Sequence, residues 1–172
     1  MDFFDAVKAR RSVRAFSSVP VEAEKTKRIL EAANDAPSAG NLQAYEIYHV
    51  TSRSHLQALA RASFGQQFVA QVQLALIFCA HPARASKKYG QRGSTLYSVQ
   101  DATIACTYAQ LAATSLGLAT VWVGAFNDDA VRKAIGVAND LLPVAILPIG
   151  YPAEHPEATP RRTLQGLVHP ID

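Results

Sequence analysis

The sequence predicts a mixed α/β domain, and three observations carry that prediction. Leu74–Ala80 is an unbroken apolar run, short enough for a strand buried on both faces. Helical spacing flanks it, with Ile29, Leu30, Ala32 and Ala33 before it and Asp101, Ile104, Ala105, Tyr108, Leu111, Ala112 and Ser115 after it. Helix-like and strand-like segments are interspersed along 172 residues, without repeats, low-complexity tracts or a linker. That length buries a substantial core in one unit, so residues 1–172 are expected to form a single domain.

Residues 2 to 10 read as a short helix with Asp2 as N-cap and Phe3, Phe4 and Val7 turned to the core. Pro20 can open a second helix, which Pro37 stops. Tyr45–Val50 is aromatic and β-branched, hence a strand, and Ser54 with Gln57 has capping-box spacing for a third helix to about Ala62. His81 to Ser98 is basic, contains glycine and lacks clear periodicity. Residues 81–98 are therefore the expected cover or substrate-facing insertion. The long alanine-rich helix that follows ends at Gly117, and its small residues would let another backbone approach closely. Thr120–Val123 reads as a strand, Asn127-Asp128-Asp129 as a capped helix start, Gly136 as its stop and Val144–Ile149 as a last strand. Beyond Tyr151 the proline- and arginine-rich tail is expected to be extended.

Hydrophobic residues make up 49% and charged residues 18%, the balance of a globular chain. A net charge of +3 suits an anionic cofactor as well as a nucleic acid and does not choose between them. Cys79 and Cys106 lie in apolar runs and are expected to be buried and free, which suits a reducing compartment. The acidic start, Met1-Asp2-Phe3-Phe4-Asp5, lacks the pattern of a signal peptide, and no apolar run is long enough to cross a bilayer. A cytoplasmic protein is the expectation.

Several chemistries lack their residues. There is no phosphate loop ending in Gly-Lys-Ser/Thr, no G-x-G-x-x-G after a strand and no G-x-S-x-G elbow. The pair Gly90 and Gly93 sits in a polar stretch and is a weak signal. His49, His55, His81, His155 and His169 are scattered without metal-ligand spacing, so no metal is expected. What remains is basic: Arg10, Arg11 and Arg14 surround Ser12 near the start, and Arg161 and Arg162 sit near the end. Forked guanidinium donors fit a phosphate. Each cluster alone would read as a solvated surface, Pro37–Asn41 alone as a turn, and Trp122 alone as core. Tyr89 and Tyr97 read as solvent-edge aromatics, with stacking on a substrate as the alternative.

Taken together and in order, five segments resemble the FMN-dependent nitroreductase family. They are Arg10-Ser12-Arg14, the loop Ala36-Pro37-Ser38 with Asn41 and Gln43, Gly65-Gln66, Trp122-Val123-Gly124-Ala125-Phe126, and Arg161-Arg162. The resemblance covers nearly the whole chain. It implies an α+β fold, a central and mainly antiparallel sheet flanked by helices, and a homodimer in which the Pro37–Gln43 loop of one subunit completes the FMN site of the other. Arg10, Arg11, Ser12, Arg161 and Arg162 would hold the phosphate, and Arg14 would face the N1–O2 edge of the flavin. Asn41, Gln43 and Gln66 (or Gln67) would meet the pyrimidine edge, with a backbone N–H at Gly124-Ala125 for N5. No protein side chain need be catalytic, because the cofactor carries the chemistry. The implied activity is hydride transfer from NADH or NADPH through FMN to a nitroaromatic or quinone, in two half-reactions. A non-catalytic FMN-binding or flavin-storage protein is the alternative, and a nucleic-acid binder a lesser one. No single arginine is marked for a nicotinamide 2′-phosphate.

Overall fold

A computed structural model describes residues 1–171. Its organising element is β2 (Leu74–Ala80), which is buried along its whole length. Successive strand side chains point to opposite faces. Leu74, Leu76, Phe78 and Ala80 accordingly join one apolar cluster, and Ala75, Ile77 and Cys79 join another. Antiparallel partners flank it, β1 (Tyr45–Val50) and β4 (Leu142–Gly150), and the short β3 (Ala119–Thr120) completes the order β1-β2-β4-β3. All the pairings between these strands are antiparallel, as expected.

Each face of the sheet carries helices. On the first lie α2 (Ala23–Asn34), through Ile29 and Ala33, and α6 (Ser98–Ser115), through Ala102, Ala105, Cys106, Ala109 and Ala113. Those α6 residues recur every three or four positions and are fully buried, so the small side chains let the helix sit close to the strands. On the second lie α3 (Arg53–Ala62), α4 (Phe68–Gln71) and α7 (Asp128–Ile135), packed through Leu56, Leu59, Val69 and Val131. The ends of α7 follow the sequence: Asn127 Oδ1 accepts the Ala130 N–H at 2.9 Å, and Gly136 closes the helix at φ 69°. Cys79 and Cys106 are free and buried, and burial pushes the Cys79 thiol up to about 12 and the Cys106 thiol well above its ordinary value. Among the described residues no helix is long and apolar enough to cross a membrane.

Residues 81–98, the expected cover or insertion, are helical: α5 (Pro82–Arg92) leads through a π-helical turn, Gly93–Tyr97, into α6. Other expectations are corrected. The second helix begins at Ala23, with Glu22 rather than Pro20 at its boundary, and α4 was not foreseen. Phe3 and Phe4 of α1 (Phe3–Ala9) do not reach the core but are 64% and 80% exposed, and Val7 is exposed too. A two-turn helix has room for one narrow buried stripe, and Ala6 takes it.

The expected strand Thr120–Val123 is interrupted. Thr120 pairs with Ile149 and Val123 with Ile146, so in that register Val121 would oppose Pro148. Val123 and Ile146 exchange both backbone hydrogen bonds at 3.0 Å. Two residues on, the next such pair would need an N–H from Pro148, which has none. The ladder opens there.

Phe78 is the bulkiest of the fully buried side chains and reaches one face of β2 only. Phe78→Ala is expected to cost about 3–5 kcal/mol, read as a lowered urea midpoint at unchanged slope. A loss under about 1 kcal/mol would mean that the α6 layer collapses onto the gap.

Candidate functional site

The basic segment leaves α1 as an extended chain along the β3 edge. Arg10 N–H closes the helix on Ala6 O at 3.0 Å, and Ser12 then forms a parallel bridge with Thr120, where Val13 N–H meets Thr120 O at 3.1 Å. Further on, Ser17 N–H donates to Tyr151 O and Ala153 N–H to Ala15 O, both at 2.9 Å. The Glu154 carboxylate accepts the N–H groups of Arg14 and Ala15. Both strands of this contact are thereby fixed, with Val13 buried between the more accessible Ser12 and Arg14.

A cavity of about 290 Å³ opens beside this segment, lined in part by Arg10, Arg11, Val13, Thr114, Leu118 and His155. Arg10 is half-buried there, and burial, followed by the charges of Arg161 and Arg11, holds its guanidinium below the ordinary value. The fold has thus brought cations from both ends of the chain into one field. None of Arg10, Arg11, Arg14, Arg161 or Arg162 makes an ion pair among the described residues. Their duties differ. Arg11 spends one nitrogen on the Lys8 and Arg10 carbonyls at 2.6 and 2.9 Å, a cap for α1. Arg161 donates to Thr159 and Pro160, and Arg162 to the Gly166 carbonyl. Repulsion among unpaired, partly buried cations is relieved by an anion, and a phosphate matches guanidinium forks. The donor set fits the phosphate of FMN.

A second group lies on the α3–α7 side. Gln66 Nε2 donates to Ser63 O at 3.1 Å and to Ala125 O at 3.2 Å, so Gln66 and Gly124-Ala125 are brought together, while Gln67 is exposed. Gly124 does not have a positive φ. The left-handed residues are instead Phe64 at φ 55° and Gly65 at φ 80°, and Phe64 is 74% exposed. A bulky non-glycine residue in that region is strained.

The third group is the loop from Ala36 to Ala44. Gly40, Asn41 and Gln43 all have positive φ, at 57°, 56° and 47°. What holds them is a residue that the motif reading passed over. Asp101, 2% exposed, accepts Ala39 N–H at 2.9 Å through one oxygen and Ala44 N–H at 3.3 Å through the other. Ser38 Oγ accepts Gln43 N–H at 2.9 Å, Gln43 reaches Asn41 Oδ1 at 3.4 Å, and Arg84 donates to the Gln43 carbonyl at 2.6 Å. Pro37 is exposed at the loop entrance. A signal for Asp101 did exist: it is the one charged residue in the whole of α6.

Within the chain the third group lies apart from the Arg10 cavity. The loop is tied to Asp101 near the start of α6, whereas the Arg10 cavity includes Thr114 near its end. Thirteen residues of helix separate them by about 20 Å.

Comparison with known proteins follows this geometry. The sequence profile of the Nitroreductase family matches the chain in two overlapping stretches, residues 7–92 and 66–151. A putative NADH dehydrogenase/NAD(P)H nitroreductase of Methanothermobacter thermautotrophicus is 31% identical over 160 residues, covering 91% of this chain and 80% of that protein. The FMN reductase [NAD(P)H] of Bacillus subtilis is 31% identical over 172 residues, covering 92% and 69%. Among solved structures, the NADPH:FMN oxidoreductase of Vibrio harveyi complexed with NAD+ superposes with a TM-score of 0.90. It is 26% identical and covers 99% of this chain and 77% of that one.

Asp101→Asn keeps the shape of the side chain but leaves one acceptor for two N–H groups. The expected cost is about 1–3 kcal/mol, with faster amide hydrogen exchange at Ala39 or Ala44. Unchanged exchange at both would assign the loop's order to its contacts with α5 instead.

Proposed function

The chain belongs to the nitroreductase family, and from that premise we propose that it is an FMN-dependent NAD(P)H oxidoreductase acting on electron-poor acceptors such as nitroaromatics or quinones. The observation that carries this reading is the triad of Arg10, Arg11 and Arg161, drawn from both ends of the chain and unpaired by any carboxylate among the described residues. Bound FMN would supply the redox chemistry, taking hydride from NADH or NADPH at N5 and yielding it to the acceptor in a second half-reaction.

The chain's own residues bind, orient and bias. Arg10, Arg161 and the free nitrogens of Arg11 offer charge-assisted donors to the phosphate, and Ser12, next along the chain, is assigned to it with them. Arg14 has its backbone held by Glu154 and its guanidinium uncommitted, so its positive charge is available to the N1–O2 edge. Gln66, already bonded to the Ala125 carbonyl, and Gly124-Ala125 serve the ring from the α3–α7 side. No side chain is asked to act as acid or base at N5.

Asn41 and Gln43 complete this site from a second copy. The separation of about 20 Å along α6 supports that assignment. So does the exposed apolar surface of Phe3 and Phe4, whose rings meet edge to face at 5.4 Å, and of Leu164 and Leu167 in the tail. A homodimer with two equal sites is the assembly proposed.

A visible spectrum followed by anaerobic NADH or NADPH tests the reading. Flavin bands that bleach on addition are expected. Bands that persist would indicate flavin storage, and a protein that takes up no FMN would overturn the proposal. Arg10→Ala is expected to raise the FMN dissociation constant about tenfold or more in a fluorescence titration while the dimer persists. Unchanged affinity would remove Arg10 from the site.

A further inference from the structure

The fold leaves a row of cations on α5 without partners. Arg84 is paired with Glu46, but Lys87, Lys88 and Arg92 have no carboxylate among the described residues. Two of them are stacked on aromatic rings. Lys88 Nζ lies 5.4 Å from the Tyr89 ring centre, and the Arg92 guanidinium lies 5.5 Å from that of Tyr97, whose hydroxyl accepts Arg92 Nε–H at 3.1 Å. The two rings meet edge to face at 5.1 Å and 80°.

This cluster is built by unusual backbone. At Gly90, φ 54° and ψ −141° break α5 in a conformation that side chains with a Cβ rarely adopt. Gly93 then lies so close to α5 that a Cβ there would stand 2.5 Å from Ala85 O. The π-helical turn Gly93–Tyr97 follows, a geometry found often at functional sites. It brings Tyr97 against Tyr89, with Arg92 held on Tyr97. The cluster also abuts the loop assigned to the flavin site, because Tyr89 Oη and Lys88 Nζ fill the space beside Gly40 that a side chain would need.

We propose that Lys88, Tyr89, Arg92 and Tyr97 recognise the adenosine 2′-phosphate end of the reductant, and that the enzyme prefers NADPH to NADH. The proposal rests on the flavoenzyme reading above. A 2′-phosphate is a compact dianion that suits an arginine fork and a lysine ammonium together, and a purine suits an aromatic face. Nitroaromatics and quinones carry no charge that such cations would repay. The flavin phosphate has its own cations, Arg10, Arg11 and Arg161, toward the far end of α6.

Two measurements test this. Calorimetry with 2′,5′-ADP and 5′-AMP on the purified protein reads binding without turnover, and 2′,5′-ADP is expected to bind about tenfold more tightly and to weaken with salt. Steady-state kinetics should give a kcat/KM for NADPH about tenfold above that for NADH, and Lys88→Gln and Arg92→Gln should each lower that ratio several-fold through KM. Equal binding of the two nucleotides, or a ratio unmoved by both variants, would overturn the proposal. Failure of the flavoenzyme reading looks different: no flavin bands, and no turnover with either nicotinamide. Far-UV circular dichroism of each variant separates a lost contact from a lost fold.

Discussion

Burial of β2 on both faces constrains everything else in this protein. A strand whose seven side chains are all buried needs apolar cover above and below, and a strand partner on each edge for its backbone groups. The alanine-rich face of α6, with α2 beside it, supplies one layer, and α3, α4 and α7 supply the other. With the layers set, the two ends of α6 become fixed points on the molecule. One end holds Asp101 and the loop it anchors, and the other lies beside the arginine cavity.

The site segments occupy places where that regular frame gives out. Pro148 opens the ladder between β3 and β4, and the chain that passes this gap runs on to Gly124-Ala125. The basic segment adds to the edge at Thr120 through a single bridge, with Glu154 closing its backbone bonds. Left-handed residues gather at Gly40–Gln43 and at Phe64-Gly65, and in the first case a buried carboxylate offsets the strain. Strained backbone held by specific polar contacts is a means of placing ligand groups rigidly.

Charge is distributed in the same spirit. Four acids are employed elsewhere: Glu154 on backbone N–H groups, Glu46 on Arg84, Asp129 on Arg132, and Glu22 on Tyr151 and Lys25. Two sets of cations are left over, one at each end of α6. An uncompensated cation near other cations destabilises the empty protein, and the same energy favours an anionic ligand.

The sequence by itself determined the strands β1, β2 and β4, the long alanine-rich helix and the capped start at Asn127, because local periodicity and capping chemistry decide these. It also marked the family, through Arg10-Ser12-Arg14, the Ala36–Gln43 loop and Arg161-Arg162 in order. Tertiary structure alone decided what depends on distance in space. Periodicity cannot tell that Phe3 and Phe4 face outward, since that depends on which stripe of α1 meets α6. The helix at 82–92 is polar and broken by Gly90, so its apolar signal is faint, and only the packing of Lys88 and Tyr89 against Gly40 shows its place. Asp101 is 62 residues from Ala39 and 57 from Ala44, and Arg10 is far along the chain from Arg161. No local pattern encodes such contacts, because they form only when the layers close on β2.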